Sequence, residues 1–351
     1  MKNFIRSWPW LLFSPTIQLY SLIIISISQF SCSAKTITNK KTDYNNSVNR
    51  QFWTADWSPD DKFIAVGGVD SVLRIYNAKN FKLYKAFPMN SWIHVVQWHA
   101  DSKTLAVATL KKYVHLINVQ TGEITPLNSA GGSRALAWNS TATLLAVADL
   151  EGIITIWNDK GVLLRTIDEK FGPEVVGESY LALDWHPHKN ILVATNFQIN
   201  LFDTSGKKLN IMEHKNKAAI ILCVKWHPSG KFFVIGDYGH NWEGENVPSL
   251  LHYWGEDGSY IKSVQGSKAE YRNISWNKEG MSLATANDVL RIWTKDGKLK
   301  YESSRDSTNY LWGVDWNTKS DRIVTASRFK TIAIWDSTVK VVTLIDANKN
   351  R

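Results

Sequence analysis

The chain has 351 residues, of which 44% are hydrophobic and 21% charged, the composition of a packed globular protein rather than a disordered one. Its net charge of +9 is spread along the sequence without a Lys/Arg block. That excludes the clustered basic stripe of a nucleic-acid binder and favours weak attraction to anionic surfaces.

In chain order, the first element is a leader. Residues 1–31 carry two cations, Lys2 and Arg6, no acid, and a long apolar stretch, which is the layout of a signal sequence. Ser31 directly before Cys32 resembles the cleavage site of bacterial lipoproteins, in which the Cys becomes the lipidated first residue; the usual Leu three residues upstream is Gln29 here. The resemblance implies lipidation at Cys32 and a place in the cell envelope, tethered to a membrane outside the cytoplasm. A different cleaved signal, giving a secreted protein, and an uncleaved anchor are the alternatives, although Pro9, Pro15 and Gln18 make a poor spanning helix. Residues 32–49 are polar and rich in Asn, Lys and Thr, and read as a flexible tether. Cys32 and Cys223 are the only cysteines, so no disulfide framework exists; Cys223, inside "IILCVKW", reads as a core residue.

Residues 50–346 repeat, and 347–351 form a tail. Seven tryptophans share one local frame: Trp57, Trp98, Trp138, Trp185, Trp226, Trp276 and Trp316, spaced by 41, 40, 47, 41, 50 and 40 residues. A second landmark follows in each copy ("RIYN", "HLIN", "TIWN", "NLFD", "HYWG", "RIWT", "AIWD"), 17–19 residues later in six copies and 28 later in the fifth. A period near forty with this pairing marks four-stranded propeller blades, which are stable only when stacked into a ring. In each first strand the residues four, two and zero places before the Trp are expected on one side, as in Trp53/Ala55/Trp57. The wide indole is expected to fill the tapering space between blades. Ser58, His99, Asn139, His186, His227, Asn277 and Asn317 follow the tryptophans, and each can accept a backbone N–H to start a tight turn. That role accounts for the histidines without a metal.

On these landmarks residues 50–346 resemble the WD40 family, with "TIAIWD" as the one full Trp-Asp ending. The resemblance implies an all-β, seven-bladed β-propeller of four-stranded antiparallel blades. The family's Gly-His before the first strand, which joins a network with an Asp between the second and third strands, is missing in every copy; Asp70 is a remnant of the Asp half. Stability is therefore expected to rest more on Trp packing than on that network. The seventh blade is closed either by "VKVVTLI" or by "KTITN" recruited from the tether.

In propellers of this kind the loops entering the first strand and those between the second and third strands share one face. That face is expected to carry Trp53, Trp92, Arg134, Tyr180, Tyr271, Arg272 and Trp312. It also carries the enlarged stretch "DYGHNWEGENVPSL" at 237–250, with Tyr238, His240, Asn241, Trp242 and Glu243, and aromatic and charged residues of this sort dominate recognition hot spots. A tolerated surface insertion is the plain alternative. The acidic connection at 168–179 flanks it. Asp237, His240 and Glu243 fit no metal spacing, and no G-x-S-x-G, phosphate loop or H-E-x-x-H occurs. The reading is a non-catalytic, monomeric platform for a protein or peptide partner, without cofactor, metal or nucleic acid. A carbohydrate-binding propeller and, further off, a propeller hydrolase are the alternatives.

Overall fold

A computed structural model describes residues 51–111, 113–128, 131–168, 179–216, 219–242, 245–304 and 309–347, with the backbone alone described at 240–242, 245 and 246. The leader, Cys32, the tether and most of the 168–179 connection lie outside the described residues. Among the described residues every regular element is a strand, and no helix is long and apolar enough to cross a membrane.

Seven four-stranded antiparallel meanders form seven blades. Their first strands are Phe52–Trp57, Ile93–Trp98, Ser133–Trp138, Ala182–Trp185, Ile221–Trp226, Asn273–Trp276 and Leu311–Trp316. Each first strand contacts the first strands of its two neighbours, and Leu311–Trp316 returns to Phe52–Trp57, so these strands circle the axis and the molecule is a closed seven-bladed propeller. The seventh blade is built wholly from Leu311–Trp316, Arg322–Ser327, Thr331–Asp336 and Val341–Asp346. Of the two closures open to the sequence, the structure uses the C-terminal strand.

The core is divided among seven apolar clusters, each between two successive blades; six contain a landmark tryptophan and Trp276 packs, partly buried, against the seventh. Trp57, for example, packs with Val324, Ala326, Ile332 and Ile345 of the seventh blade. The turn reading of the following residue also holds. Nδ1 of His186 accepts from the backbone N–H of His188 and Lys189, both at 3.0 Å, and Oδ1 of Asn139 accepts from Thr143 and Leu144.

The same three histidines do more than the sequence suggested. Their Nε2 atoms reach carbonyls of the next blade: His99 to Ala142 at 2.8 Å, His186 to Gly230 at 3.0 Å and His227 to Gly280 at 2.9 Å. Only the neutral tautomer with hydrogen on Nε2 can accept at Nδ1 and donate at Nε2. Gly230 is required there, because its φ is +73° and a Cβ would lie 2.5 Å from the His186 ring.

A second belt runs through Asp56, Gln97, Asp184, Ser275 and Asp315, each the residue just before a landmark tryptophan. The backbone N–H of Trp57, Trp98, Trp138 and Trp226 donates to Asp315, Asp56, Gln97 and Asp184 of the preceding blade, at 2.9, 2.7, 2.9 and 2.7 Å. Ser275 donates its hydroxyl to Asp315 at 2.7 Å. Burial, and then the charge of Asp315, push the Asp56 carboxyl well above its ordinary value, and burial raises Asp315 as well. The two carboxyls meet at the seam between blades 7 and 1.

The turns between second and third strands hold buried carboxylates with partners other than the missing Gly-His. Asp70 does lie in such a turn, between Phe63–Gly68 and Val72–Asn77, and there it is the hub of an ion triad, 2.8 Å from Arg74 and 2.9 Å from Lys330 of the seventh blade. Burial raises its carboxyl, but these two cations outweigh that effect and hold it below the usual range. Asp288 pairs with Arg291 at 2.6 Å, and Asp149 accepts the N–H of Glu151 and Ile153 within its own turn. Ring stability thus combines Trp packing with buried polar ties.

Candidate functional site

The two sets of loops do share a face. Val69 donates its N–H to Gln51 at 3.0 Å, Leu110 to Trp92 at 3.0 Å, Leu150 to Gly132 at 2.8 Å and Arg328 to Tyr310 at 2.9 Å, so each turn after a second strand is tied to the entry of the first strand.

What shapes this face is a bulge. In blades 1, 2, 3, 5 and 7 the pairing of first with second strand skips one residue, and that residue is Trp53, His94, Arg134, Leu222 or Trp312. This is the position four before the landmark Trp. A bulge inserts an extra residue and re-aims its side chain. The simple alternation expected from the sequence therefore fails there, and the skipped residues turn toward one another across the blade boundaries.

The contacts show the result. Trp53 stands edge-on to Trp92 with ring centroids 5.7 Å apart, and lies 4.5 Å from His94 and 6.1 Å from Trp312. The Arg272 guanidinium sits 4.6 Å from the Trp312 ring centre, held by Glu270 at 2.8 Å. Burial, and then the Arg134 charge, keep His94 well below its ordinary value, so this ring is neutral. Residues of blades 1, 2, 3, 6 and 7 thus surround one mouth of the ring with indole, imidazole and guanidinium. A groove of about 620 Å³ continues from Trp92's neighbours, lined by Met89, Lys111, Tyr113 and His115.

Several sequence-based candidates take other places. Tyr180 is 0% exposed and packs edge-to-face on Phe202, so it belongs to the core between blades 3 and 4 and cannot meet a partner; Tyr271 is buried too. Trp312 is 5% exposed and forms a floor beneath Arg272 rather than a contact surface. Trp53, Trp92, Arg134 and Arg272 are half-buried.

The 237–250 stretch is an added hairpin, not an open loop. His240–Trp242 pairs with Glu245–Val247, matching His240 to Val247 and Trp242 to Glu245; Glu243 lies outside the described residues. Tyr238 is 37% exposed. The hairpin is fixed at its base by Asp237, which is fully buried. Its Oδ1 accepts the N–H of Gly239 at 3.1 Å and of Leu250 at 2.7 Å, gripping both ends. Its Oδ2 faces Nε2 of His252 at 3.0 Å and Nε2 of His214 at 3.3 Å. Burial pushes the Asp237 carboxyl up, yet His214, His252 and the Leu250 N–H outweigh it and lower it below the usual value. His214 and His252 had not been singled out in the sequence. The cue was present: one buried-looking strand, "LLHYW", and one connection, "EHKNK", each carry a His around the acid of the same repeat.

Comparison with known proteins agrees with this architecture. The model of the WD domain, G-beta repeat, matches residues 42–77 and 206–242. The chain is similar to eukaryotic translation initiation factor 3 subunit I of Phaeosphaeria nodorum, 26% identical over 170 residues, covering 44% of this chain and 51% of that one. It is also similar to the F-box-like/WD repeat-containing protein TBL1X. The mouse protein is 25% identical over 133 residues (35% of this chain, 24% of its own length) and the human one 25% over 144 residues (38% and 24%). The chain thus spans about half the length of the first of these relatives and a quarter of the others. These matches support a WD40 propeller.

Proposed function

We propose that this propeller is a non-catalytic platform that binds an acidic, aromatic-containing peptide segment of a protein partner at the ring mouth. The carrying observation is the convergence of Trp53, Trp92, His94 and Arg272 from three blades, with Arg134 of a fourth beside them. Indole and guanidinium groups of this kind are the residues that anchor protein contacts. Arginine at the rim and a chain charge of +9 favour a partner of negative charge. The groove beside Tyr113 and His115 gives an extended segment room to leave the mouth.

A sugar-binding surface is supported less. Trp53 meets Trp92 edge-on at 81° and Trp312 lies under Arg272, so no flat, open pair of indole faces is offered to a sugar ring. The proposal also includes the leader: lipidation at Cys32 would hold the propeller at an envelope membrane, and mass spectrometry of the mature N-terminus tests that part separately.

The test is selection of displayed random peptides on the full-length chain, against Trp53→Ala and Arg272→Ala. Enriched peptides should carry Asp or Glu near an aromatic, and each substitution should weaken them about tenfold or more, the equivalent of ~1.4 kcal/mol. Enrichment unaffected by both substitutions, or binding confined to glycans on an array, overturns the reading.

A further inference from the structure

We propose that the groove on blade 2 is a distinct subsite of the peptide site: it takes an aromatic side chain of the partner segment, with a neighbouring carboxylate of that segment against Lys111. The inference rests on the reading of the ring mouth as a peptide site, and adds to it which residue goes where and the direction in which the segment leaves.

The groove holds about 620 Å³, inside the ~300–1,000 Å³ range of ordinary ligand pockets. Met89 of the connection entering blade 2 forms one side. Leu110 and Lys111 of the turn after that blade's second strand, with Tyr113 and His115 of its third, form another. Gly132, at the entry to blade 3, closes the end. The backbone N–H of Leu110 donates to the Trp92 carbonyl at 3.0 Å, and Gly132 stands two residues before Arg134. The groove therefore begins where the mouth ends.

Its lining selects the occupant. Tyr113 and His115 are alternate residues of one strand and so share a side. Their ring centroids are 6.2 Å apart at 62°, which makes an aromatic corner. Burial lowers His115 from its ordinary value, so the imidazole is an uncharged wall. Met89 is buried beside it, and a thioether makes favourable contacts with aromatic edges. A ligand ring can meet this corner edge-to-face, a contact that an aliphatic side chain cannot reproduce. Among the described lining residues none is acidic and Lys111 is an exposed cation, so an acid beside the aromatic finds the opposite charge.

The walls are fixed in advance. Thr109, 1% exposed, donates its hydroxyl to the Tyr113 carbonyl at 2.8 Å, and the Ser91 hydroxyl accepts the Lys111 N–H at 3.0 Å. Both bonds hold the turn that presents Lys111 and Tyr113. A Cβ at Gly132 would lie 1.8 Å from the Leu110 carbonyl oxygen, so glycine is what lets the entry of blade 3 close against that turn. A groove shaped before binding loses less entropy when it is filled.

The test adds N-acetyl-aspartyl-tryptophanamide, a probe chosen to fill the groove without the mouth, to the full-length chain and follows it by saturation-transfer NMR and titration. The indole signals should be saturated, and affinity should fall about tenfold in Lys111→Glu and in Tyr113→Ser while staying unchanged in Trp53→Ala. N-acetyl-aspartyl-leucinamide should bind more weakly than the tryptophan probe. Lys111 and Tyr113 are exposed, so both variants should keep the wild-type melting temperature. Selection of displayed random peptides on Tyr113→Ser should then retain acidic residues and lose the aromatic preference. No binding of the probe, binding indifferent to both groove substitutions, or binding lost in Trp53→Ala overturns the proposal. Selected peptides that need Trp53 and Arg272 but keep their aromatic on Tyr113→Ser leave the mouth reading standing and overturn the groove. Probe binding that needs Lys111 and Tyr113, with no peptide enriched at the mouth, supports the groove and sinks the mouth.

Discussion

The ring mouth and the blade-5 hairpin lie on one face, and both depart from the repeat, but by opposite routes. The mouth adds no residues: bulges at a fixed position turn Trp53, His94, Arg134 and Trp312 out of the strand alternation. The hairpin adds length and is bolted down by one buried carboxylate that holds both of its ends. A surface assembled from several blades depends on the ring being closed, whereas a surface inserted into one blade depends only on its own anchor.

Substitutions can break this contrast. The largest effect is expected for Trp312→Ala, about 3–5 kcal/mol in denaturant unfolding, because the indole is a buried floor shared with Arg272. Peptide affinity at the mouth should fall with it, and full retention of affinity would separate the mouth from its floor. Asp237→Ala should cost about 3 kcal/mol, since it strands two histidines and two backbone N–H groups. A loss below about 1 kcal/mol would mean the hairpin is held by something else. Replacing 239–248 by a short Gly-Ser turn that leaves Asp237 and Leu250 in place should change stability by less than about 1 kcal/mol and leave peptide binding intact. Lost binding would move the site from the mouth to the hairpin.

The smallest effects are those of pH. His186 and His227 are held below their ordinary value of 6.5, chiefly by burial, so the fold prefers them neutral. Their stabilisation is complete above pH 6.5 and declines as pH falls below it, because a proton on Nδ1 blocks the turn hydrogen bond. His186→Asn, which keeps a turn acceptor, should flatten that acid limb in urea unfolding at a series of pH values. Asp56 behaves in the opposite sense. Its carboxyl is raised from 3.8, so what it contributes is present at low pH and lost as pH rises through the raised value. Gln97 performs the same task for Trp138 without charge. Asp56→Asn should therefore match the wild type near pH 4 and equal or exceed its stability at pH 8; lower stability at pH 8 would show that the ionised carboxylate is needed.

Blade number and order were legible because one large residue, Trp, recurs in one frame, and its volume has a single use, filling a gap between blades. The turn function of His99, His186 and His227 was legible for the same reason of position. The mouth was only half legible. A bulge leaves no mark in a period-two strand, so Trp312 and Tyr180 looked as open as Trp53, and burial separates them. The belt of Asp56, Gln97, Asp184 and Asp315 had a cue that alternation did not explain, a polar side chain recurring just before the Trp in otherwise apolar strands. The trio at Asp237 was hidden because His214 and His252 sit 23 residues before and 15 after it, and only the folding of one connection and two strands brings them together.

The ring is entered at Phe52, the start of an innermost strand, and left at Asp346, the end of an outermost one. In a meander of four strands both points fall on the same side, the side of the mouth. Gln51 even receives the indole N–H of Trp53. Anything fused to either end of the propeller therefore begins beside the ring mouth, and probes or immobilising groups belong instead on the opposite face, at turns such as Lys79–Asn80.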